Sequence, residues 1–333
     1  GQLGQPGFRF TGPGLVAVVV PVQDSAVNVR GGQQRESRHL GSFSQGRSEP
    51  IASVHEDRRV VHRMSHDHSR GMRFALAQLL STVDPRENLA LVTDAARRAA
   101  RGRADVMVCP EATMCSFLRT PTQVAESFDG PWASTVRRLA GDLGITIIAG
   151  MFTTAHGSRV HNTLVATGEC EGRYDKIHLF DALGHRESET VKPGRRSTSI
   201  EIAGHSLGLA VCYDVRFPTH FIDLALGGAT VMVVCASWAP GPGKLHQWRT
   251  LVTARAMDSV SFVVAVDQAL QGDEETPGDP TGIGHSMVVD PTGQVLLELG
   301  AEPDLAFVDV DPEQVPVTRK TLPVLDGNRL WSL

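Results

Sequence analysis

The sequence predicts a layered α/β domain over residues 72–333. Strands and amphipathic helices alternate along this stretch, and most of the strands are apolar, which is typical of sheets buried on both faces. No internal repeat with a period of about 20–50 residues is present, and no linker divides the stretch. We therefore expect a single domain of about 260 residues.

The first half of this stretch leads to a carboxylate at the end of a strand. A strand at residues 74–80 is followed by Asp84-Pro85, an N-cap with proline at the first helical position, which predicts a helix up to Gly102. The next strand, at residues 105–109, ends just before Glu111. The remaining predicted elements are a helix at 132–142, a strand at 145–151 and a hairpin-like pair at 163–167 and 172–174.

The second half is organised around Cys212. A short apolar strand at residues 207–211 ends at this cysteine, and Phe217-Pro218 opens a helix that runs to Gly227-Gly228. Such a strand-to-helix elbow exposes a nucleophile, and the backbone N–H of Tyr213 would point to where an oxyanion forms. The alternative is that Cys212 is a small buried apolar residue, as most unpaired cysteines are.

The other elements of the second half continue the alternation. Strands are predicted at residues 199–202, 230–235, 262–266, 285–289, 294–299 and 305–310. A helix is predicted at residues 243–259, and its core face is expected to consist of Leu245, Trp248, Leu251, Val252 and Met257.

Residues 1–71 differ in composition from the rest of the chain. They are rich in Gly, Gln, Ser, Arg and His and show no sustained helical or strand period. Such a composition cannot bury a core, so we expect a disordered or non-native extension before the domain at residues 72–333.

Composition narrows the possible partners and the compartment. The net charge of −5 and the pI near 6.2 lack the basic bias of a nucleic-acid binder, and no apolar run reaches the ~20 residues of a membrane span. The five cysteines form neither a CxxC motif nor a zinc-ligand spacing, so no disulfide framework and no metal site is predicted. We expect a cytoplasmic protein that binds neither nucleic acid nor a membrane.

Three residues at predicted strand ends have the chemistry needed to break a C–N bond. Cys212 could attack a carbonyl, Glu111 could take and return the proton, and Lys176 could stabilise the oxyanion. Each also has a structural explanation, as a core thiol, a capping or surface acid and a solvated strand-end charge. Spacing alone leaves these alternatives open.

Three sequence blocks resemble the signature blocks of the nitrilase, or carbon–nitrogen hydrolase, superfamily. They are Pro110-Glu111, Tyr174-Asp-Lys176-Ile-His-Leu-Phe180 and Val211-Cys212-Tyr-Asp-Val-Arg-Phe-Pro218, and they occur in the family's order. The resemblance covers about residues 72–329. It implies a four-layer α-β-β-α sandwich that associates into a homodimer or a higher homo-oligomer.

The resemblance also implies roles for individual residues. The family's general base corresponds to Glu111, its lysine to Lys176 and its nucleophile to Cys212. A second family glutamate corresponds to Glu187, with Glu189 as a rival two residues away. Asn162 and Arg216 look structural, and Asp267 stands where relatives often carry asparagine, which puts the local pocket chemistry in doubt.

The implied activity is hydrolysis of small primary amides through a cysteine thioester, with no metal or organic cofactor. The elbow sequence Cys-Tyr-Asp-Val-Arg-Phe-Pro is similar to that of the deaminated-glutathione amidase and omega-amidase branch. A nitrilase or an N-carbamoyl amide hydrolase is the alternative within the superfamily, although their usual elbows, Cys-Trp-Glu and Cys-Asn-Asp, fit less well. The alternative outside enzymes is an inactive scaffold with this fold.

Overall fold

The computed structural model describes residues 71–329. The predicted extension at residues 1–71 therefore lies outside the described residues, except for Gly71, and stays a prediction. Among residues 71–329, no helix is long and apolar enough to cross a membrane.

The first of two six-stranded sheets carries most of the N-terminal half. Its strand order is β12-β1-β2-β3-β4-β5. The central strands β1, β2 and β3 are parallel, and the outer pairings are antiparallel. The strand bounds are β1 Met72–Gln78, β2 Val106–Val108, β3 Thr146–Thr154, β4 Val160–Thr167, β5 Glu171–Asp175 and β12 Asp304–Val310.

The second sheet carries the C-terminal half, in the order β11-β10-β9-β8-β7-β6. Strands β7, β8 and β9 are parallel, so the residues at their carboxyl ends meet at one edge of the sheet. The strand bounds are β6 Ser199–Ile202, β7 His205–Val211, β8 Val231–Ala236, β9 Phe262–Asp267, β10 Met287–Val289 and β11 Val295–Glu298.

Helices cover the outer faces of the sheets, which gives the expected four layers. Helices α1 and α2 contact each other and α2 contacts β3 and β4, while α3 contacts β7 and α4 contacts β9 and β10. The helix bounds are α1 Pro85–Arg101, α2 Pro131–Leu143, α3 Pro218–Leu226, α4 Lys244–Ser259, α5 Gln314–Thr321 and α6 Val324–Arg329.

Strand β1 illustrates how the sequence specifies the layers. Phe74 and Leu76 belong to the core that includes the second sheet, whereas Ala75 and Ala77 pack in the cluster with α1 and α2. The side chains of a strand alternate between its two faces, so a strand between two apolar layers carries apolar residues on both faces, as β1 does from Phe74 to Ala77. The α/β sandwich is therefore confirmed.

One predicted core position is wrong. Met257 of α4 is 51% exposed, although Trp248 and Val252 are buried as expected. The helix is apolar on more than one side, and its core face follows Trp248, Val252, Arg255, Ala256 and Ser259. Arg255 is accommodated in this face because it donates to the Val215 carbonyl oxygen at 2.8 Å.

Candidate active site

The chain turns sharply at Cys212, directly after β7. Cys212 has a φ of 45°, a left-handed conformation that is uncommon for any residue except glycine and characteristic of strained functional turns. A short 3₁₀ turn, Cys212–Arg216, begins here, so the Tyr213 N–H lies in its first turn, where N–H groups lack intrahelical partners. The Cys212 thiol donates to the Ser237 carbonyl oxygen at 3.8 Å.

Asp214 connects this elbow to the segment that carries Lys176. One carboxylate oxygen of Asp214 accepts from the Val211 N–H at 2.8 Å and from the Tyr174 hydroxyl at 2.7 Å. The other accepts from the backbone N–H and from Nδ1 of His178, at 3.0 and 2.7 Å. Asp214 therefore bonds to residues two positions before and two positions after Lys176, and to the residue that precedes Cys212.

These bonds also keep Asp214 ionised. Burial acts to raise the pKa of this carboxyl, but the hydrogen bond from His178, the charge of His220 and the hydrogen bond from Tyr174 lower the pKa below its ordinary value. The carboxylate thus remains an acceptor for all of its donors down to low pH.

Glu111 lies in the loop that follows β2, where its backbone passes against β3. A Cβ on Gly150 would lie 2.8 Å from the Glu111 Cα and 2.7 Å from the Ala112 nitrogen, so only glycine permits this approach. Oε2 of Glu111 accepts from the Ser237 N–H at 2.9 Å. The loops after β2 and β8 are thereby joined across the two sheets.

Lys176 follows β5 and contacts two carboxylates. Its Nζ lies 2.9 Å from Oε1 of Glu111 and 2.9 Å from Oε2 of Glu187. Oε2 of Glu187 also accepts from the Phe180 N–H at 2.7 Å, which fixes the short 3₁₀ turn Glu187–Glu189. The structure thus brings Glu187 into the site, and the rival Glu189 is exposed.

The buried charges at this site shift one another's pKa. Burial raises the pKa of Glu111 against the opposing charge of Lys176, and the charge of Glu187 raises it further. Burial acts to lower the pKa of Lys176, but Glu111 and Glu187 together raise it well above its ordinary value. Lys176 is therefore a permanent cation, and Glu111 is a stronger base than an exposed glutamate.

Cys212 rests as a neutral thiol. Burial and the charge of Glu111 raise its pKa well above the ordinary value, and Lys176 offsets only part of this increase. A proton acceptor beside the thiol is therefore needed before it can act as a nucleophile.

All four side chains, Glu111, Lys176, Glu187 and Cys212, line one cavity of about 250 Å³. Its wall is completed by Phe117, Thr120, Pro121, Phe180, His185, Arg186, Thr190, Val191, Ser237, Asp279 and Pro280. The cavity suits a small substrate that reaches a thiol, a carboxylate and an ammonium group together.

Two residues that were not predicted to contact the candidate groups do so, and a third fixes the loops around them. Asn162 donates to both glutamates, and Ser237 contacts Glu111 and Cys212 through its backbone. Asp267 accepts from the Trp238 and Ile283 N–H groups at 2.8 and 2.9 Å and so fixes the loops that follow β8 and precede β10. The sequence did contain a signal for Asn162, because an asparagine in an apolar strand is unusual. The contacts of Ser237 involve backbone atoms and leave no signal in the sequence.

Comparison with known proteins gives consistent results. The family model described as carbon-nitrogen hydrolase matches residues 73–320. Hydrolase Rv0480c of Mycobacterium tuberculosis is 48% identical over 264 residues, covering 76% of this chain and 94% of that protein. Deaminated glutathione amidase of Escherichia coli O157:H7 is 31% identical over 264 residues, covering 78% of this chain and 97% of that protein.

A solved structure with the same fold is an amidase mutant from Nesterenkonia sp. AN1. The TM-score is 0.64 at 28% identity, and the match covers 79% of this chain and 97% of that chain. In that structure the acetamide moiety of fluoroacetamide is covalently attached at the active-site cysteine.

Proposed function

Because this chain belongs to the carbon–nitrogen hydrolase family and is an enzyme of that family, we propose that it cleaves small primary amides through a thioester on Cys212. The observation that carries the proposal is the meeting of Glu111, Lys176 and Cys212 at one small cavity. A base, a cation and a nucleophile are the groups that acyl transfer requires.

In the first half of the reaction, Glu111 takes the proton of the Cys212 thiol as sulfur attacks the amide carbonyl carbon. The carbonyl oxygen becomes an oxyanion, for which the Lys176 ammonium and the Tyr213 N–H are the donors. Glu111 gives its proton to the nitrogen as this intermediate collapses, so that the C–N bond breaks and the nitrogen leaves as ammonia.

In the second half, water replaces ammonia. Glu111 takes a proton from the water as its oxygen attacks the thioester carbonyl carbon, and the same two donors hold the oxyanion. The C–S bond breaks, the carboxylic acid forms, and the proton returns from Glu111 to the Cys212 sulfur. The raised pKa of Glu111 suits this alternation, because the group must accept and release a proton near neutral pH.

We further propose that the preferred substrate is an ω-amide whose acyl chain carries a carboxylate. Two cations support this choice: the Arg216 guanidinium carbon lies 5.1 Å and the Lys244 Nζ 5.7 Å from the centroid of the Trp238 ring. Lys244 Nζ is also 5.7 Å from the ring of Phe180, which lines the cavity.

Neither cation has a carboxylate within ion-pair distance among the described residues. Arg216 donates instead to the neutral side-chain amide of Gln247 at 2.6 Å. Burial and the neighbouring charge of Arg216 lower the pKa of Lys244. An anionic group on the substrate would relieve the repulsion between the two cations.

The test is an ammonia-release screen over ω-amides of 2-oxo acids, deaminated glutathione, carbamoyl amino acids and aliphatic nitriles, with Cys212→Ser as the background. We expect the highest kcat/KM on an ω-amide. The proposal fails if a nitrile or a carbamoyl amino acid is the best substrate, or if no amide exceeds the background.

A matched pair of substrates tests the role of the carboxylate. Succinamate and butyramide have the same chain length, and a carboxylate in the first replaces a methyl group in the second. Lys244→Met should raise KM for succinamate about tenfold and leave butyramide unchanged, because it removes ground-state binding of the charge alone. Equal effects on both substrates would refute carboxylate recognition by Lys244.

A further inference from the structure

Asn162 of β4 lies between the two carboxylates of the site. Its Nδ2 donates to Oε1 of Glu111 at 2.7 Å and to Oε1 of Glu187 at 3.1 Å. Lys176 Nζ donates to the same two oxygens, at 2.9 and 3.1 Å. Asn162 and Lys176 thus form a closed ring of four hydrogen bonds with the two glutamates.

The ring of hydrogen bonds offsets the repulsion between the two carboxylates of the site. Glu111 is buried and the side chain of Glu187 is 9% exposed, and the two carboxylates share the single positive charge of Lys176. Two carboxylates that share one cation repel each other, which favours protonation of one of them. The amide N–H groups of Asn162 supply two additional donors at the point where the carboxylates approach, without adding a charge.

The orientation of the amide follows from the same charges. Its oxygen would repel both carboxylates, so the nitrogen faces them and the oxygen faces away. This Oδ1 is buried and accepts no hydrogen bond from any residue between 71 and 329. An unpaired buried acceptor costs stability, and an apolar side chain would avoid that cost. The amide is therefore better explained by its contacts with the glutamates than by stability.

We infer that Asn162 is a positioning residue for the reaction: it holds Glu111 and Glu187 together on Lys176, so that Glu111 remains available as the base. The inference rests on the proposed function, in which Glu111 takes the proton of Cys212. Asn162 is not itself one of the residues that line the cavity, and it acts through the two carboxylates that do.

The role of Asn162 can be tested through the pKa of Glu111. The hydrogen bond from Asn162 stabilises the ionised carboxylate and so lowers the pKa of Glu111, against the larger opposing effect of burial. Removal of the bond should raise that pKa. Since the free enzyme needs ionised Glu111, the acid limb of the kcat/KM profile should move to higher pH. The other ionisable groups that interact with Glu111 are Lys176, Glu187, Cys212, Cys235 and Asp267.

The experiment measures kcat/KM for butyramide against pH in Asn162→Leu and Asn162→Ala. Both variants remove the donor, whereas the backbone bond from the Lys176 N–H to the Asn162 carbonyl oxygen, 2.8 Å long, can persist. We expect the acid limb to rise by about one pH unit, and thus kcat/KM to fall about tenfold below that limb and by less above it.

Asn88→Leu is the matched control. Asn88 is also a buried asparagine, and its Nδ2 donates to the carbonyl oxygens of Thr82 and Met114, at 2.8 and 3.0 Å, away from the two glutamates. This variant should lower the melting temperature and leave the acid limb where it is in the wild type.

The inference is overturned if the Asn162 variants lower kcat/KM by the same factor at every pH, since loss of packing alone would do so. If Asn162→Leu does not fold, the position of the acid limb in Asn162→Ala tests the inference. The variant Glu111→Gln distinguishes a failure of the proposed function from a failure of the inference about Asn162. If Glu111→Gln retains activity, Glu111 is not the base and the proposed function is contradicted. If Glu111→Gln is inactive but the acid limb of the kcat/KM profile does not move in the Asn162 variants, only the inference about Asn162 is contradicted.

Discussion

Two thiols stand near the carboxyl ends of neighbouring parallel strands. Cys235 pairs with Val211 in the ladder between β7 and β8, and Cys212 is the next residue of the chain after Val211. Cys235 is completely buried within its strand, whereas Cys212 is 8% exposed, adopts a φ of 45° and lines the cavity. A shift of one residue along the strand thus separates a core thiol from a candidate nucleophile.

Proton affinity does not distinguish the two cysteines. Burial raises the pKa of both thiols well above the ordinary value, and Glu111 raises both further. Of the two, only Cys212 has its pKa lowered in part by the charge of Lys176. Only Cys212 lines the cavity that Glu111 also lines. The comparison indicates that reactivity here depends on access and on an adjacent base and cation, rather than on a thiolate that already exists at rest.

The largest expected effect separates the two thiols directly. Cys212→Ser should keep the fold and lose more than about 10³-fold in kcat, because the hydroxyl proton is too strongly held for the same base. Cys235→Ala should keep kcat within about twofold and lower the melting temperature, because it leaves a small cavity in the core. Turnover with an ω-amide and thermal unfolding measure the two outcomes.

Alkylation provides an independent readout for the same pair. Iodoacetamide should modify Cys212 faster than Cys235 in the native protein. Equal rates, or near-normal turnover in Cys212→Ser, would contradict the assignment of the nucleophile.

The next effect tests the cation that only Cys212 has beside it. Lys176→Met should reduce kcat on amides by roughly 10²–10³, the scale seen when one oxyanion donor is removed. The pKa of Cys212 should rise further, because Lys176 is the charge that lowers it. Lys320→Met, an exposed substitution in α5, is the control and should leave kcat unchanged. A loss below about tenfold in Lys176→Met would show that Lys176 is not an oxyanion donor.

Local patterns indicated the candidate site's main groups, and the resemblance of three short sequence blocks to one family implied their roles. Glu111 and Cys212 each follow an apolar strand and Lys176 follows the more polar strand β5, and the ends of strands are where an α/β sheet exposes side chains. The Asp84-Pro85 cap likewise marked the start of α1, where the Asp84 side chain accepts from the Arg86 N–H. These signals are contained in short stretches of sequence, so no knowledge of tertiary structure was needed.

The residues that were missed depend on pairing between strands. The side chain of Asn162 reaches Glu111 only because β4 lies between β3 and β5 in the first sheet. Ser237 joins the sheets through backbone atoms, which any residue possesses. Met257 was assigned to the core of α4 because helical spacing alone could not decide which of several apolar sides faces the sheet.

The smallest effect is expected from the removal of residues 1–71. A protein that starts at Met72 should unfold cooperatively and keep kcat/KM within about twofold, because the family match begins at residue 73 and residues 1–71 lack a core pattern. Within residues 71–329, the side-chain hydrogen bonds of the candidate catalytic groups join residues between 111 and 237. The contrast in alkylation rate between Cys212 and Cys235 should therefore survive the truncation unchanged. Loss of the cooperative transition, or equal rates at the two thiols, would mean that residues 1–71 contribute to the folded domain and that its boundary at Met72 is wrong.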